Sequence, residues 1–519
     1  MRSTRGRTAA LAAVPLLSGA LLSVALLSGC SSQLEGASAS AAKATGQRMF
    51  GSIAFEPCTL SAPLSPTSID AQCAKYEVAE NPAEPKGRKI TLNMAWLPAS
   101  DQSGGTADPV FFLAGGPGQA ATEYAAQVDM ALRDARKQRD IVLIDQRGTG
   151  KLSPLDCRDA NGRELALPDA DETDANAIAD YAGRCAQALA NKADPGFYTT
   201  TQAIADLDEV RAALGVERIN LVGVSYGTRV AQQYAARYPQ HTRAIVLDGI
   251  APNDLVVGGE FARTFERALG LQVAQCQKLD SCRKRFPQDL RTQLHALKTR
   301  LAAAPVDVEY RDPASAEVKH DTLTADTVVG LTHLFSYMPQ MASLLPVVID
   351  EADRGRYAPL MALSQMMTRE VGGQMSRSMQ WSVICAEDAD RYRPDPADAD
   401  TVLGPDVATA FFAACSRWPH GARPANFNAP LKSNVPALLL SGEIDPVTPP
   451  SYGEQVLKGL PNGRHLVLRG QGHNVSGVGC LPKLVGQFLE STDARKLDAK
   501  CLDAIGYVPP FTGFNGWEP

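Results

Sequence analysis

A serine flanked by glycines is the first feature of the sequence that could do chemistry. Residues 223–227 read GVSYG, and they follow an apolar stretch at 218–224 (RINLVGV) that predicts a buried strand. A helix is predicted directly afterwards, from about residue 228 to 238. A serine on a sharp turn between strand and helix needs small neighbours, because larger side chains would clash. We therefore predict that Ser225 is a nucleophile.

A serine hydroxyl is a weak nucleophile unless a base takes its proton, so a histidine and a carboxylate must accompany it. Both occur later in the chain, each after a predicted strand. Residues 437–440 (ALLL) lead into Asp445, and residues 465–468 (HLVL) lead into His473. The order serine, aspartate, histidine predicts these two residues as the partners of the serine, with Glu443 as the competing carboxylate.

The negatively charged oxygen formed during acyl transfer needs two fixed N–H donors. We predict the backbone amide of Tyr226 as one donor, since it follows the nucleophile. The other is expected within AGGPG at 114–118, with Gly116 preferred and Gly115 second. A dinucleotide-binding loop is the alternative for this segment, but the glycines lack the required G-x-G-x-x-G spacing.

A second glycine-containing segment, DQRGTGK at 145–151, faintly resembles a phosphate-binding loop. However, Asp145 occupies the first glycine position, and Leu152 stands where such loops carry serine or threonine. We therefore interpret the segment as a structural turn that contains an ion pair between Asp145 and Arg147.

Apolar runs near these motifs predict the class of fold. Residues 89–97 form a strand candidate, and the near-continuous runs at 109–114 and 140–144 are typical of strands buried on both faces of a parallel sheet. After residue 252 the pattern is mostly helical, without a clear buried strand, until strand signals return at 437. We predict an α/β sheet that is interrupted by a helical insertion and then completed.

The N-terminus predicts export. Three arginines precede an apolar run at 11–27, and residues 27–30 (LSGC) resemble the bacterial lipobox, whose cysteine is lipidated. We predict that Cys30 carries the lipid, with an uncleaved membrane anchor as the alternative. Either way, the remainder lies outside the cytoplasm. Because Ser31 is not the aspartate that retains lipoproteins at the inner membrane, we favour a tether to the outer membrane or cell surface.

The composition excludes some classes of function. The 519 residues are 45% hydrophobic and 21% charged, as in ordinary globular proteins, and the formal net charge of −6 argues against nucleic acid as a partner. Apart from Cys30, the cysteines are even in number, and neither C-x-x-C nor H-E-x-x-H occurs, so we predict disulfides and no metal site. Proximity in sequence suggests these pairs: Cys58 with Cys73, Cys157 with Cys185, Cys276 with Cys282, Cys385 with Cys415, and Cys480 with Cys501.

Six motifs together resemble a known family. They are GGPG (115–118), DQRGTG (145–150), GVSYG (223–227), DGIAP (248–252), GEIDPVTP (442–449) and GQGH (470–473). The combination resembles the secreted tripeptidyl aminopeptidases, within the proline iminopeptidase branch of the α/β-hydrolases, from about residue 90 to 485. One departure is Ala114, where proline iminopeptidases usually carry histidine; this weakens any expectation of strict proline specificity.

The resemblance implies an α/β-hydrolase fold with a mostly parallel central sheet and a helical cap. It also implies a serine exopeptidase that needs no cofactor and acts on peptides with free N-termini. Carboxylic-ester hydrolysis by the same residues is the alternative function, and a non-catalytic lipoprotein is a further one. The expected division of the chain is a signal peptide (1–29), a lipidated tether (30–60), core (61–254), cap (255–432) and core (433–519).

An aminopeptidase must also bind the substrate ammonium, and a buried carboxylate suits that task. In this family a cap acid near a cysteine has a similar placement to the amine-binding group. The resemblance therefore implies Glu387 as the amine anchor, with Asp388 as the alternate and Cys385 as the neighbouring cysteine. A structural or solvated role for both acids is the other possibility.

Overall fold

A large β-sheet forms the centre of the computed structural model, which describes residues 46–61, 67–101, 108–166, 174–372 and 374–516. The strands are β1 (Arg48–Phe50), β2 (Ile53–Ser61), β3 (Ser68–Ala79), β4 (Lys89–Leu97), β5 (Val110–Leu113), β6 (Ile141–Ile144), β7 (Ile219–Val224), β8 (Thr242–Asp248), β9 (Val306–Arg311), β10 (Val318–Leu323), β11 (Ala437–Gly442) and β12 (Gly463–Leu468). Ten of them form one sheet in the order β1-β2-β3-β4-β6-β5-β7-β8-β11-β12.

The sheet has an antiparallel part and a larger parallel part. Strands β1 to β4 pair antiparallel with one another, and β4 pairs antiparallel with β6. From β6 onward, all neighbouring strands are parallel. All four residues of both β5 and β6 are buried, as their continuous apolar sequences predict. The predicted fold class is confirmed.

Helices cover both faces of the sheet. The α-helices of the described residues are α1 (Ala125–Leu132), α2 (Ala175–Leu189), α3 (Thr200–Ala213), α4 (Tyr226–Arg237), α5 (Phe261–Lys278), α6 (Asp280–Arg285), α7 (Leu290–Ala303), α8 (Ala325–Phe335), α9 (Pro339–Ala342), α10 (Leu345–Asp353), α11 (Ala358–Gly372), α12 (Arg377–Glu387), α13 (Asp406–Ala413), α14 (Pro450–Leu457) and α15 (Leu481–Ser491). Alternate strand residues face opposite layers: in β8, Ile245 and Leu247 pack with α3 and α4, whereas Ala244 and Val246 pack with α1 and α15.

An insertion separates β8 from β11. It contains α5 to α13 and a hairpin formed by β9 and β10, and it has an apolar core of its own. The mostly helical prediction is correct for this segment except at the hairpin. Strand β10 (VKHDTL) is exposed along most of its length, so it lacks the buried apolar run by which strands are recognised in sequence.

The tether predicted for residues 30–60 is wrong from Arg48 onward, because β1 and β2 already belong to the sheet. In β2, Ile53 and Phe55 are buried, and Phe55 packs against the indole ring of Trp96. The predicted signal peptide at 1–29 and Cys30 lie outside the described residues. No helix in the described ranges combines the length and the apolar character needed to cross a bilayer.

The disulfide pairing predicted from proximity is confirmed at all five pairs. The partners are separated by 6 to 30 residues in sequence, so each bridge closes a short loop. Two of the bridges, Cys157–Cys185 and Cys385–Cys415, lie in the main hydrophobic core, where helices α2 and α12 meet.

The turn at 145–151 does bury an arginine, but the predicted ion pair within it is wrong. Arg147 is fully buried and donates to both carboxylate oxygens of Asp206, at 2.7 and 2.6 Å. Asp145 instead accepts from the backbone and hydroxyl of Thr122 and from the side-chain amide of Asn93. Arg147 and Asp145 therefore bind different parts of the structure: the arginine pairs with α3 through Asp206, and the aspartate binds Thr122 before α1.

Candidate active site

Ser225 occupies the turn between β7 and α4 with a backbone conformation that residues other than glycine rarely adopt. Its φ is +56° and its ψ is −123°. The flanking glycines are needed for close packing: a Cβ on Gly223 would lie 2.3 Å from the carbonyl oxygen of Gly227, and a Cβ on Gly227 would lie 2.1 Å from that of Leu113. The turn therefore presents the serine side chain at the edge of the sheet, as its sequence predicts.

Strand register brings the candidate residues to one edge of the sheet. Val224 of β7 lies level with Asp248 of β8, and Asp248 lies level with Leu440 of β11. Strand β12 continues the parallel series beside β11. The loops that follow β7, β11 and β12 carry the three candidate residues, Ser225, Asp445 and His473.

Asp445 and His473 form a buried hydrogen-bonded pair. Oδ2 of Asp445 lies 2.7 Å from Nδ1 of His473, and the two side chains are 0% and 4% exposed. Oδ1 of the aspartate accepts from the backbone amides of Val447 and Thr448, both at 2.8 Å. The aspartate is thereby held rigidly, and it leaves Nε2 as the histidine nitrogen available to a serine hydroxyl.

Two further side chains, Thr448 and Glu443, bind near the aspartate–histidine pair. The hydroxyl of Thr448 donates to Oδ2 of Asp445 at 2.8 Å and lies 3.1 Å from Nδ1 of His473. Glu443, the competing carboxylate in the sequence, accepts instead from the backbone amide of Gly470, 2.9 Å away. The glutamate therefore holds the backbone of the loop that carries His473, and the threonine orients the aspartate. Sequence reasoning did not identify the threonine.

The surroundings of His473 raise its pKa. Burial by itself would lower the pKa, but the charge and hydrogen bond of Asp445, together with the charge of Asp248, outweigh burial and hold the pKa above its ordinary value of 6.5. Asp248 is itself buried and accepts from the backbone amides of Val475 and Ser476, at 2.7 to 2.9 Å. It anchors the loop that follows the histidine. The only sequence signal for Asp248 was its position at the start of the DGIAP motif.

The insertion reaches the histidine through Tyr337. The backbone carbonyl of Tyr337 accepts from the backbone amide of His473 at 2.8 Å, and its ring meets the imidazole edge-on with centroids 5.2 Å apart. A Cβ on Gly472 would lie 2.2 Å from the same carbonyl oxygen, so this approach requires glycine. Beside the tyrosine, burial together with the charge of His473 lowers the pKa of His333 to about 4.

The expected oxyanion loop lies directly against the serine. A Cβ on Gly115 would be 3.1 Å from Cβ of Ser225, and Gly116 has a φ of +108°. The amide of Tyr226 belongs to the first turn of α4, where backbone N–H groups have no intrahelical acceptor. Gly115 is thus the loop residue that lies against the serine, and Tyr226 follows the serine at the start of α4. The donor role of Gly116 stays a prediction.

Glu387 and Asp388 do not occupy an open site, so the structure does not support either acid as the amine anchor. Both side chains are fully buried. Glu387 accepts from the amide and hydroxyl of Thr200 at 2.7 and 3.0 Å, and Asp388 accepts from Arg229 at 2.9 Å. Burial raises the pKa of Glu387 to about 7, against the opposing charge of Arg229. The Thr200 hydroxyl in turn lies 2.6 Å from the phenol oxygen of Tyr226.

The described residues contain no group of three or more His, Cys, Asp or Glu side chains arranged to hold a metal ion. The ten cysteines of the described ranges are all in disulfides. What the site offers is a serine hydroxyl, a buried imidazole–carboxylate pair and backbone donors, which together are the groups of acyl transfer.

Two protein-family models match this chain, and each covers a part that carries candidate site residues. Residues 108–297 match the family model described as alpha/beta hydrolase fold, and residues 400–501 match the model described as TAP-like protein. The first range includes Ser225, and the second includes Asp445 and His473.

Curated relatives give the same picture. The chain is 27% identical to serine protease Hip1 of Mycobacterium tuberculosis over 522 residues, which covers 94% of this chain and 97% of that protein. It is 29% identical to tripeptidyl aminopeptidase of Streptomyces lividans over 189 residues, or 34% of this chain and 35% of that one. Over 142 residues it is 31% identical to proline iminopeptidase of Xylella fastidiosa, covering 27% of this chain and 32% of the relative.

Proposed function

Because the chain belongs to the α/β-hydrolase family of the tripeptidyl aminopeptidases and proline iminopeptidases and is a serine hydrolase, we propose that it is a serine exopeptidase. It releases residues or short peptides from free N-termini through an acyl-enzyme on Ser225. The observation that carries this proposal is the 2.7 Å contact between Asp445 and His473, at the sheet edge where the serine turn lies.

The mechanism is acyl transfer in two steps. Oγ of Ser225 attacks the scissile carbonyl while Nε2 of His473 takes its proton, and the histidine then returns that proton to the leaving amine. Asp445 holds the imidazole through Nδ1 and stabilises its charged form. The amides of Gly116 and Tyr226 donate to the oxyanion. Water then attacks the acyl-enzyme while His473 takes its proton. The histidine passes that proton to Oγ of Ser225 as the acyl group leaves.

Two observations support cleavage at chain ends. The insertion contacts the histidine loop through Tyr337 and the oxyanion loop through Ser376, whose amide donates to the carbonyl of Gly118 at 2.9 Å. A cap that borders the serine on both sides limits how much peptide fits on the amine side, which is a steric filter. In addition, two of the relatives are named as aminopeptidases or iminopeptidases.

We also propose that the protein is exported and tethered to the outer membrane or cell surface by a lipid on Cys30. The five disulfides support an oxidising compartment, since such bonds are rare in the cytoplasm. Mass spectrometry of the N-terminal peptide from the native membrane fraction tests this. A native N-terminal peptide that carries no lipid on Cys30 contradicts it.

The decisive experiment uses a soluble form that begins at Ser31, with Ser225→Ala as the control. Anilides of Pro, Ala and Ala-Pro-Ala, each with free and with blocked N-termini, are assayed beside a short acyl ester. We expect hydrolysis of the free-amine peptides only, and none by the Ser225→Ala variant. Cleavage of blocked peptides would instead indicate an internal protease, and turnover of the ester alone would indicate a carboxylic-ester hydrolase.

A further inference from the structure

Gln119, which directly follows the oxyanion loop, brings a carboxamide oxygen close to the nucleophile. A Cβ placed on Gly115 would lie 2.9 Å from Oε1 of Gln119 and 3.1 Å from Cβ of Ser225. Two atoms that both lie about 3 Å from one point are at most about 6 Å apart. The oxygen is therefore near the place where the serine meets its substrate. Gln119 is only half-buried, so part of the residue is accessible.

The orientation of this carboxamide follows from its partners. Nε2 of Gln119 donates to the phenol oxygen of Tyr124 at 2.7 Å, and the phenol donates to Oε1 of Gln374 at 2.7 Å. A phenol has one proton to donate, and here Gln374 receives it, so the phenol accepts from Gln119. Burial, with the nearby charge of Glu123, raises the pKa of Tyr124, which keeps its proton in place. With Nε2 engaged in this way, Oε1 is directed away from the tyrosine.

The backbone holds this arrangement at both ends. Gln119 forms a bridge with Met375 of the insertion, and the amide of Ser376 donates to the carbonyl of Gly118 at 2.9 Å. The glutamine is thus fixed between the oxyanion loop and the insertion. Within the described part of the chain, Oε1 accepts no hydrogen bond. An oriented acceptor beside the nucleophile, without a donor of its own, is suited to a substrate N–H.

We propose that Oε1 of Gln119 accepts the backbone N–H of the substrate residue whose carbonyl Ser225 attacks. This inference rests on the proposed peptidase function. Standard bond lengths place that nitrogen about 2.5 Å from the carbonyl carbon, which itself must approach the serine oxygen to about 3 Å. The contact makes Gln119 a specificity-determining residue that favours residues with a backbone N–H over proline or N-methylated residues, which lack it.

The test removes each partner of the contact in turn. The full-length protein and its Gln119→Met variant, which keeps the side-chain volume but has no amide, are assayed on Ala-Ala-Ala-anilide and on the analogue with N-methylalanine in the third position. For the wild type we expect N-methylation to lower kcat/KM about 3- to 10-fold, the size of one hydrogen bond. In the Gln119→Met variant the same change should cost less than about 2-fold, because the contact is already lost.

Three other outcomes overturn the inference. If N-methylation costs the wild type nothing, or costs both proteins equally, the substrate N–H does not bind Gln119. If the enzyme releases only the first alanine, the N–H of the third residue does not reach the site. The last outcome leaves the exopeptidase proposal intact, whereas failure to cleave any free-amine peptide overturns the proposed function itself. Gln127→Met, on the exposed side of α1, is the control for an unspecific effect of the substitution.

Discussion

The backbone amide of His473 donates to the backbone carbonyl of Tyr337 at 2.8 Å, although the histidine follows the last strand of the sheet and the tyrosine belongs to the insertion. The proposed base is therefore positioned partly by the cap and not by the core alone. The same insertion holds the oxyanion loop through Ser376. A displacement of the insertion would disturb the proposed base and the proposed oxyanion donors together.

The raised pKa of His473 predicts the pH dependence of activity. A general base must be neutral, and the charges of Asp445 and Asp248 outweigh burial and hold the pKa above 6.5. As pH falls, the imidazole becomes protonated earlier than an ordinary histidine would. We therefore expect the acid limb of the kcat/KM profile to have its midpoint above pH 6.5. A profile that stays flat down to pH 4.5 would contradict the role of this histidine.

The Thr448→Val substitution should weaken the proposed base without changing the fold. It removes the hydroxyl that donates to Oδ2 of Asp445, a hydrogen bond to a charged group worth about 1.5–3 kcal/mol. We expect kcat to fall by about 10- to 100-fold with little change in KM. Thr448→Ser keeps the hydroxyl and serves as the control; an equal loss in both variants would argue that only packing is affected.

The Gly227→Ala substitution tests the close packing under the serine turn. The new Cβ would lie 2.1 Å from the carbonyl oxygen of Leu113, so the strand or the helix must move. We expect the free energy of unfolding, measured by denaturant titration, to fall by about 1–3 kcal/mol. Gly330→Ala, in α8 with no atom near the new methyl group, should instead be neutral or stabilising. Equal stability of the two variants would refute the argument.

The Glu387→Gln substitution separates a buried structural role from amine binding. Glutamine replaces one of the two accepting oxygens with an NH2 group, which donates, so one donor of Thr200 loses its acceptor. We therefore expect a lower Tm and a similar loss of kcat on free-amine peptides of every length tested. An amine anchor would behave differently: KM would rise, and the rise would disappear for substrates without an ammonium. The ratio of KM values for these two kinds of substrate decides between the roles.

Much of the architecture could be predicted because it depends on local sequence. The apolar runs at 110–113 and 141–144 are strands, since a segment that is apolar on both sides must be buried on both sides. The GVSYG turn could be recognised because the serine and both of the glycines that it needs lie within five consecutive residues. The disulfides pair cysteines that are close in the chain, so proximity sufficed.

Sequence alone determined the fold class and the order of the serine, aspartate and histidine candidates along parallel strands, and proximity in sequence suggested the disulfide partners. Only the tertiary structure decided which partners the buried charges take: Arg147 pairs with Asp206, not Asp145, and Glu387 faces Thr200, not solvent. It alone also brought Tyr337 to His473. The physical reason is that the state of a charged or polar group depends on what packs over it. That packing is set by elements distant in the chain, which no local pattern specifies.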